Sequence, residues 1–200
     1  MASAPLSRDS ILDAALAVAA DRHWEAVRLF DVAEQLGVTL ADLQPLLAEK
    51  EQLVDWLWQR ADETLLADCR GKSFQTLDFP KQFEACVLAW LGALQPARRT
   101  FRQMLEVRME PGHLHIQIPT LFQVSRSVQW MRELCGRDAT FLRRASEETA
   151  LTAVFVSTLL VWLGDDSHGS QRSRDWCRDR LAQAIALGRW WPRRPPSTGQ

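Results

Sequence analysis

Glu106, Glu110, His113 and His115 place two carboxylates beside an HxH pair. Such a set could ligate a divalent metal. It is equally a loop whose histidines face solvent or cap a helix, and the spacing supplies neither a full ligand count nor a geometry. No metal is therefore expected. The chain has no nucleophile elbow, P-loop, dinucleotide fingerprint or HExxH, so neither a catalytic residue nor a cofactor is expected, and the chain reads as a non-enzyme.

Two other groups of residues suit binding rather than catalysis. Trp90, Phe101, Met104, Phe122, Trp130, Met131 and Phe155 are the kind of side chains that line an apolar pocket, though most would serve equally as core. From Arg172 to Arg194 there are seven arginines, with Asp175 and Asp179 the only acids, and with Trp176, Trp190 and Trp191. This segment suits peripheral contact with an anionic membrane surface. A helix packed through Leu181, Ala184 and Ile185 with a solvated arginine face accounts for the same residues.

The elements that would hold these groups are helical. Ile11, Leu12, Ala15, Leu16 and Ala19 make one stripe of a helix over Arg8 to Ala20, with Ser7 as its N-cap. A linking helix runs over about Lys50 to Cys69, striped by Leu53, Leu57, Ala61 and Leu65. Gly71 to Asp78 is a polar joint. The body follows as helices over Phe79–Leu94, Ala97–Glu110, Thr120–Leu134, Asp138–Leu163 and Ser170–Gly188, with His113 to Pro119 as a loop. The chain is thus expected to be all-α, with a head over 1–70, a body over 71–191 and a disordered tail over 192–200.

Composition is that of an ordinary globular chain, 46% hydrophobic and 24% charged. Its four cysteines form no CxxC and read as reduced, packed thiols of a cytoplasmic protein. MASAPLSRDS lacks the apolar core of a signal peptide. Thr149 to Leu163 is fifteen uncharged residues, short of the roughly 20 that span a bilayer, and reads as a core or interface helix.

The most organised stretch is RLFDVAEQLGVTLADLQPLLAEKEQL, Arg28 to Leu53. Val32, Ala33 and Leu36 repeat at helical spacing. Gly37 supplies a left-handed turn, and Thr39 caps a second helix over Leu40 to about Leu47, inside which Pro45 should shorten or kink it. That is a helix-turn-helix, whose second helix normally enters the DNA major groove. Its charge runs the other way: residues 1–70 hold six basic and thirteen acidic residues, whereas phosphate contact needs Lys and Arg.

RDSILDAALAVAADRHWEAV, followed by Val32-Ala33, Gly37-Val38-Thr39 and Lys50, resembles the TetR family over the first 65 or so residues. Gln44 stands where that family usually has a phosphate-binding Tyr. The resemblance implies a TetR-like fold and a dimeric regulator. Arg28 and Lys50 would meet phosphates, Gln44 a base edge or phosphate, and Thr39 the DNA beside them. It implies a small apolar effector lined by Trp90, Phe101, Met104, Phe122, Trp130 and Phe155, and a homodimer through residues 149–188. VFVSTLLVWLGDDSHGSQRSRDWCRDRLAQAIALG, Val154 to Gly188, resembles the end of the TetR-fold lipid-binding accessory proteins of ubiquinone biosynthesis, through Asp166-Ser167, Trp176 and Arg180-Leu181. That second resemblance implies a lipid carrier whose head no longer binds DNA.

Overall fold

In a computed structural model the described residues are 6–109, 114–138 and 141–188, with the side chains of 114–119 outside that description. They are all-α: no strand occurs among them. Glu110 and His113, the side chain of His115, and Trp190, Trp191 and the 192–200 tail therefore lie outside the described residues. The chain divides into two compact units, Met1–Asp68 with Ala89–Gln123 and Cys69–Leu88 with Val124–Gln200.

The first unit begins with α1, Arg8–Ala20, whose capping box joins Ser7 and Ser10. Ile11, Leu12, Ala15 and Ala19 are buried, and Trp24 and Val27 close the small core beneath them. α2, Leu29–Leu36, ends at Gly37, whose φ of +68° is left-handed. The amides of Gly37 and Val38 donate back to Glu34 and Ala33, closing the helix end. Thr39 then caps α3: its hydroxyl accepts from the Asp42 amide, and the Asp42 carboxylate accepts from the Thr39 amide and hydroxyl.

α3 covers only Leu40–Leu43 and not the expected Leu40 to Leu47. Pro45 has no amide hydrogen to continue the ladder. Leu46 and Leu47 instead both donate to the Leu43 carbonyl, which keeps a compact turn and buries Leu43 and Leu47. α4 is Gln52–Asp68, two residues later than expected at its start because 49–51 form turns. The rest of the unit is the end of α6 (Phe79–Leu94), α7 (Arg98–Arg108) and the start of α8 (Leu114–Leu134). The loop expected over His113 to Pro119 is helical from Leu114 onward. Pro119 there sacrifices a single backbone hydrogen bond, a cost that a 21-residue helix can absorb.

The second unit contains α5 (Lys72–Gln75) within the polar joint, α6 up to Leu88, α8 from Val124, α9 (Phe141–Leu163) and α10 (Gln171–Gly188). α9 has the length and composition of a membrane span. Its Leu151, Val154, Phe155, Leu159 and Trp162 are nevertheless buried in the core of this unit, and it packs along α10. The turn between them is organised by Asp165, which is buried and accepts from the amides and hydroxyls of Ser167 and Ser173. Burial pushes the Asp165 carboxyl up, but the four donors outweigh it and hold its pKa well below the usual carboxylate range. Asp165, not the neighbouring Asp166, thus forms the cap, and Arg180 stacks on Trp176 4.2 Å away. All four cysteines are buried and none forms a disulfide.

Gly37→Ala meets no atom within 4 Å, so its cost is purely backbone strain. Urea unfolding should show a loss of about 1–2 kcal/mol, whereas Gly37→Asn, which tolerates left-handed φ, should lose less. The Asp165 contribution is a depressed-pKa case: it is present above about pH 4 and is lost as pH falls through the folded pKa. Asp165→Asn should therefore lower the unfolding midpoint at pH 7 and flatten the decline of stability below about pH 4; an unchanged acid limb would refute this assignment.

Candidate nucleic-acid interface

The face a helix-turn-helix would present to a groove is short and carries no cation. Leu40, Ala41, Asp42, Gln44, Pro45 and Leu46 are exposed, and Leu40 is 47% so. Glu34 and Glu49, on either side of α3 in the chain, are also exposed. Hydrogen bonds from Thr39 hold the Asp42 carboxyl below its usual range, so it remains charged.

The four residues expected at DNA are differently placed. Gln44 is exposed at the end of α3. Thr39 is exposed, but its hydroxyl is committed to the capping box. Arg28 is mostly exposed, and its guanidinium donates to both oxygens of Asp31 at 3.4 and 3.1 Å. Those bonds lower the Asp31 pKa and raise that of Arg28. Lys50 is tied inward: its ammonium donates to the carbonyls of Trp24 at 2.6 Å and Glu25 at 3.1 Å, and lies 4.7 Å from the Trp24 ring centre. Burial lowers its pKa, with Glu51 and Glu25 opposing.

The remaining cations between residues 6 and 68 are engaged as well. Arg22 pairs with Asp31, Arg60 with Asp9 and Asp13, and Arg8 lies over the Trp56 ring. Between residues 6 and 68 the basic side chains thus serve the fold, leaving a surface on which acids outnumber free cations.

Two anchors of this head were not visible in the sequence. Gln103 of α7 accepts from the buried Trp24 amide at 2.8 Å, across 79 residues of chain. Arg108, also buried, donates to the Glu51 carbonyl, Asp55, Thr120 and Gln123, and Gln123 donates to Asp55 in turn. A polar residue on an amphipathic helix gives no sign of so distant a partner; only the Trp next to a helix end hinted that something must cover it.

The six expected effector residues are divided between the two units. In the first unit Trp90, Phe101 and Met104 are fully buried, and Trp90 and Phe101 pack with Trp58 at ring separations of 4.8 to 6.1 Å. The Trp90 indole donates to Asp62. In the second unit Phe155 is buried, while Phe122 and Trp130, in the first and second units respectively, are 64% and 45% exposed. No cluster of three potential metal ligands occurs among the described residues.

No protein-family model matches the sequence, and neither does any curated protein. Solved structures do. The chain is similar to the crystal structure of a TetR transcriptional regulator from Nitrosomonas europaea ATCC 19718, with 36% identity over 90% of this chain and 98% of that one and a TM-score of 0.81. It shares its fold with a TetR transcriptional regulator from Rhodococcus sp. RHA1 (16% identity, 89% and 95% coverage, TM-score 0.66) and with a TetR-family regulator from Streptomyces coelicolor A3 (18%, 89% and 94%, 0.53).

Replacing Gln103 with Leu would leave the Trp24 amide buried without an acceptor. Chemical denaturation should report a loss of roughly 1–3 kcal/mol. A variant as stable as the parent would show that the bond does not anchor the head.

Proposed function

The chain belongs to the TetR family of transcriptional regulators, and from that premise we propose that it acts as a homodimer that reads duplex DNA through the α2–α3 segment. The observation that supports this most is the turn itself. Left-handed Gly37 and the Thr39–Asp42 box fix the direction of α3 and leave Ala41 and Gln44 in solvent, where base edges would lie. Gln44 would contact a base edge or a phosphate. Arg28 can turn from Asp31 to a phosphate at modest cost, because its own guanidinium is exposed and Arg22 still pairs with Asp31. Lys50 and Thr39 reach DNA only by giving up the bonds they make within the head.

The dimer would form through α9 and α10. Ala153, Val156 and Leu160 recur at helical spacing on the outward side of α9, none of them charged and none fully buried. A small apolar effector would act on the body. Since Trp90, Phe101 and Met104 are tightly packed, it would have to open that cluster, shifting the protein between two packings by its preference for one of them.

One observation favours a second reading, a lipid-binding accessory protein of the ubiquinone-biosynthesis type whose head does not bind DNA. It is the commitment of Arg8, Arg22, Arg28, Lys50 and Arg60 to internal partners beside an acidic α3. The two readings separate on promoter-length duplex at about 50 mM salt, where a head with several phosphate contacts binds even without the right sequence. The regulator should be retained, with affinity falling linearly in log salt; no retention at that salt selects the accessory protein. In sedimentation experiments Leu160→Lys should shift the wild-type dimer to monomer, and a variant that sediments like wild type removes α9 from the interface.

A further inference from the structure

α9 begins with two exposed apolar residues followed by two exposed arginines. Phe141 and Leu142 are 85% and 74% exposed, and Arg143 and Arg144 follow, both exposed. Phe141 adopts φ +49°, a conformation unfavourable for an aromatic residue. Of the acids nearest in sequence, Asp138 is exposed, whereas the two on the helix itself are withdrawn. Glu147 pairs with Arg132 and Arg137 of this unit, and Glu148 accepts from Ser125 and Gln129. Among the described residues neither Arg143 nor Arg144 has a carboxylate at ion-pair distance. The helix start therefore separates its charges, carboxylates inward and guanidinium groups outward, behind two solvated apolar side chains.

We propose that Phe141, Leu142, Arg143 and Arg144 form a docking tip for an anionic lipid surface. A bilayer interface accepts both halves of the tip: the ring and the isobutyl group enter the acyl boundary while the arginines stay among lipid phosphates. Charge complementarity selects an anionic surface over a neutral one, each arginine near such a surface strengthening attachment. Duplex DNA would engage the arginines and leave Phe141 and Leu142 in water. A second copy docking tip to tip about a two-fold axis would bring like charges together. The tip's residues are other than those of the α2–α3 segment and of the Arg- and Trp-bearing C-terminal segment, and the proposal stands whether or not the head binds DNA.

Flotation of the full chain with phosphatidylcholine vesicles, with and without about 30% phosphatidylglycerol, tests it. The chain should float only with the anionic vesicles. Arg143→Gln/Arg144→Gln and Phe141→Ser/Leu142→Ser should each reduce the bound fraction by about tenfold or more, while Arg193→Gln/Arg194→Gln should not. Both tip pairs are exposed, so folding should persist, as checked by an unchanged unfolding midpoint; if the serine pair does not fold, the glutamine pair decides. Equal flotation of parent and tip variants overturns the proposal. So does loss of binding only in the Arg193/Arg194 variant, or a tip variant that changes duplex binding or sedimentation but not flotation.

Discussion

The Lys50 ammonium holds the front of this molecule together. It draws in the carbonyls at the end of the Trp24–Ala26 turn and covers the face of Trp24. The same tryptophan donates its amide to Gln103. Trp24 is thus held at its carbonyl and ring by a cation and at its amide by a side-chain oxygen of α7, which packs on its turn. A charged donor to two carbonyls in a half-buried site is a strong bond by protein standards. Freeing Lys50 for any other partner would require replacing it.

This gives the head two uses for the same side chains. Its shape depends on arginines and a lysine turned toward neighbouring acids, carbonyls and rings, and groove reading depends on such groups turned outward. An exposed guanidinium such as that of Arg28, whose Asp31 partner keeps Arg22, exchanges readily; the Lys50 site is not of that kind. The TetR fold and the acidic surface are therefore compatible. One comes from local backbone chemistry and packing, the other from where the cations are spent.

What was legible in the sequence was local. Ser7, Gly37, Thr39 and the stripe through Ile11, Leu12 and Ala15 act over four or fewer residues, and the structure places each in its expected role. The all-α class followed from the same signals. Length along the chain was less legible where proline sat within a helix. Pro45 shortened α3, as its missing amide hydrogen implied, and ended it at Leu43, whereas Pro119 lay inside a helix where a loop was expected. Pairings across long separations were not legible. Nothing near Gln103 announces Trp24, and nothing near Arg108 announces Asp55. The scattered aromatic residues, too, could be counted but not grouped, because helical spacing cannot distinguish the closed Trp58–Trp90–Phe101 cluster from exposed Phe122 and Trp130.

The direct measurement of the central claim is the urea unfolding of Lys50→Met, which keeps the apolar stem and removes only the ammonium. If Lys50 is spent on the fold, the midpoint drops by an amount equivalent to about 1.5–3 kcal/mol, the range for hydrogen bonds made by a charged group. A midpoint equal to that of the parent would mean that the ammonium is held in reserve for an outside partner, contradicting the account.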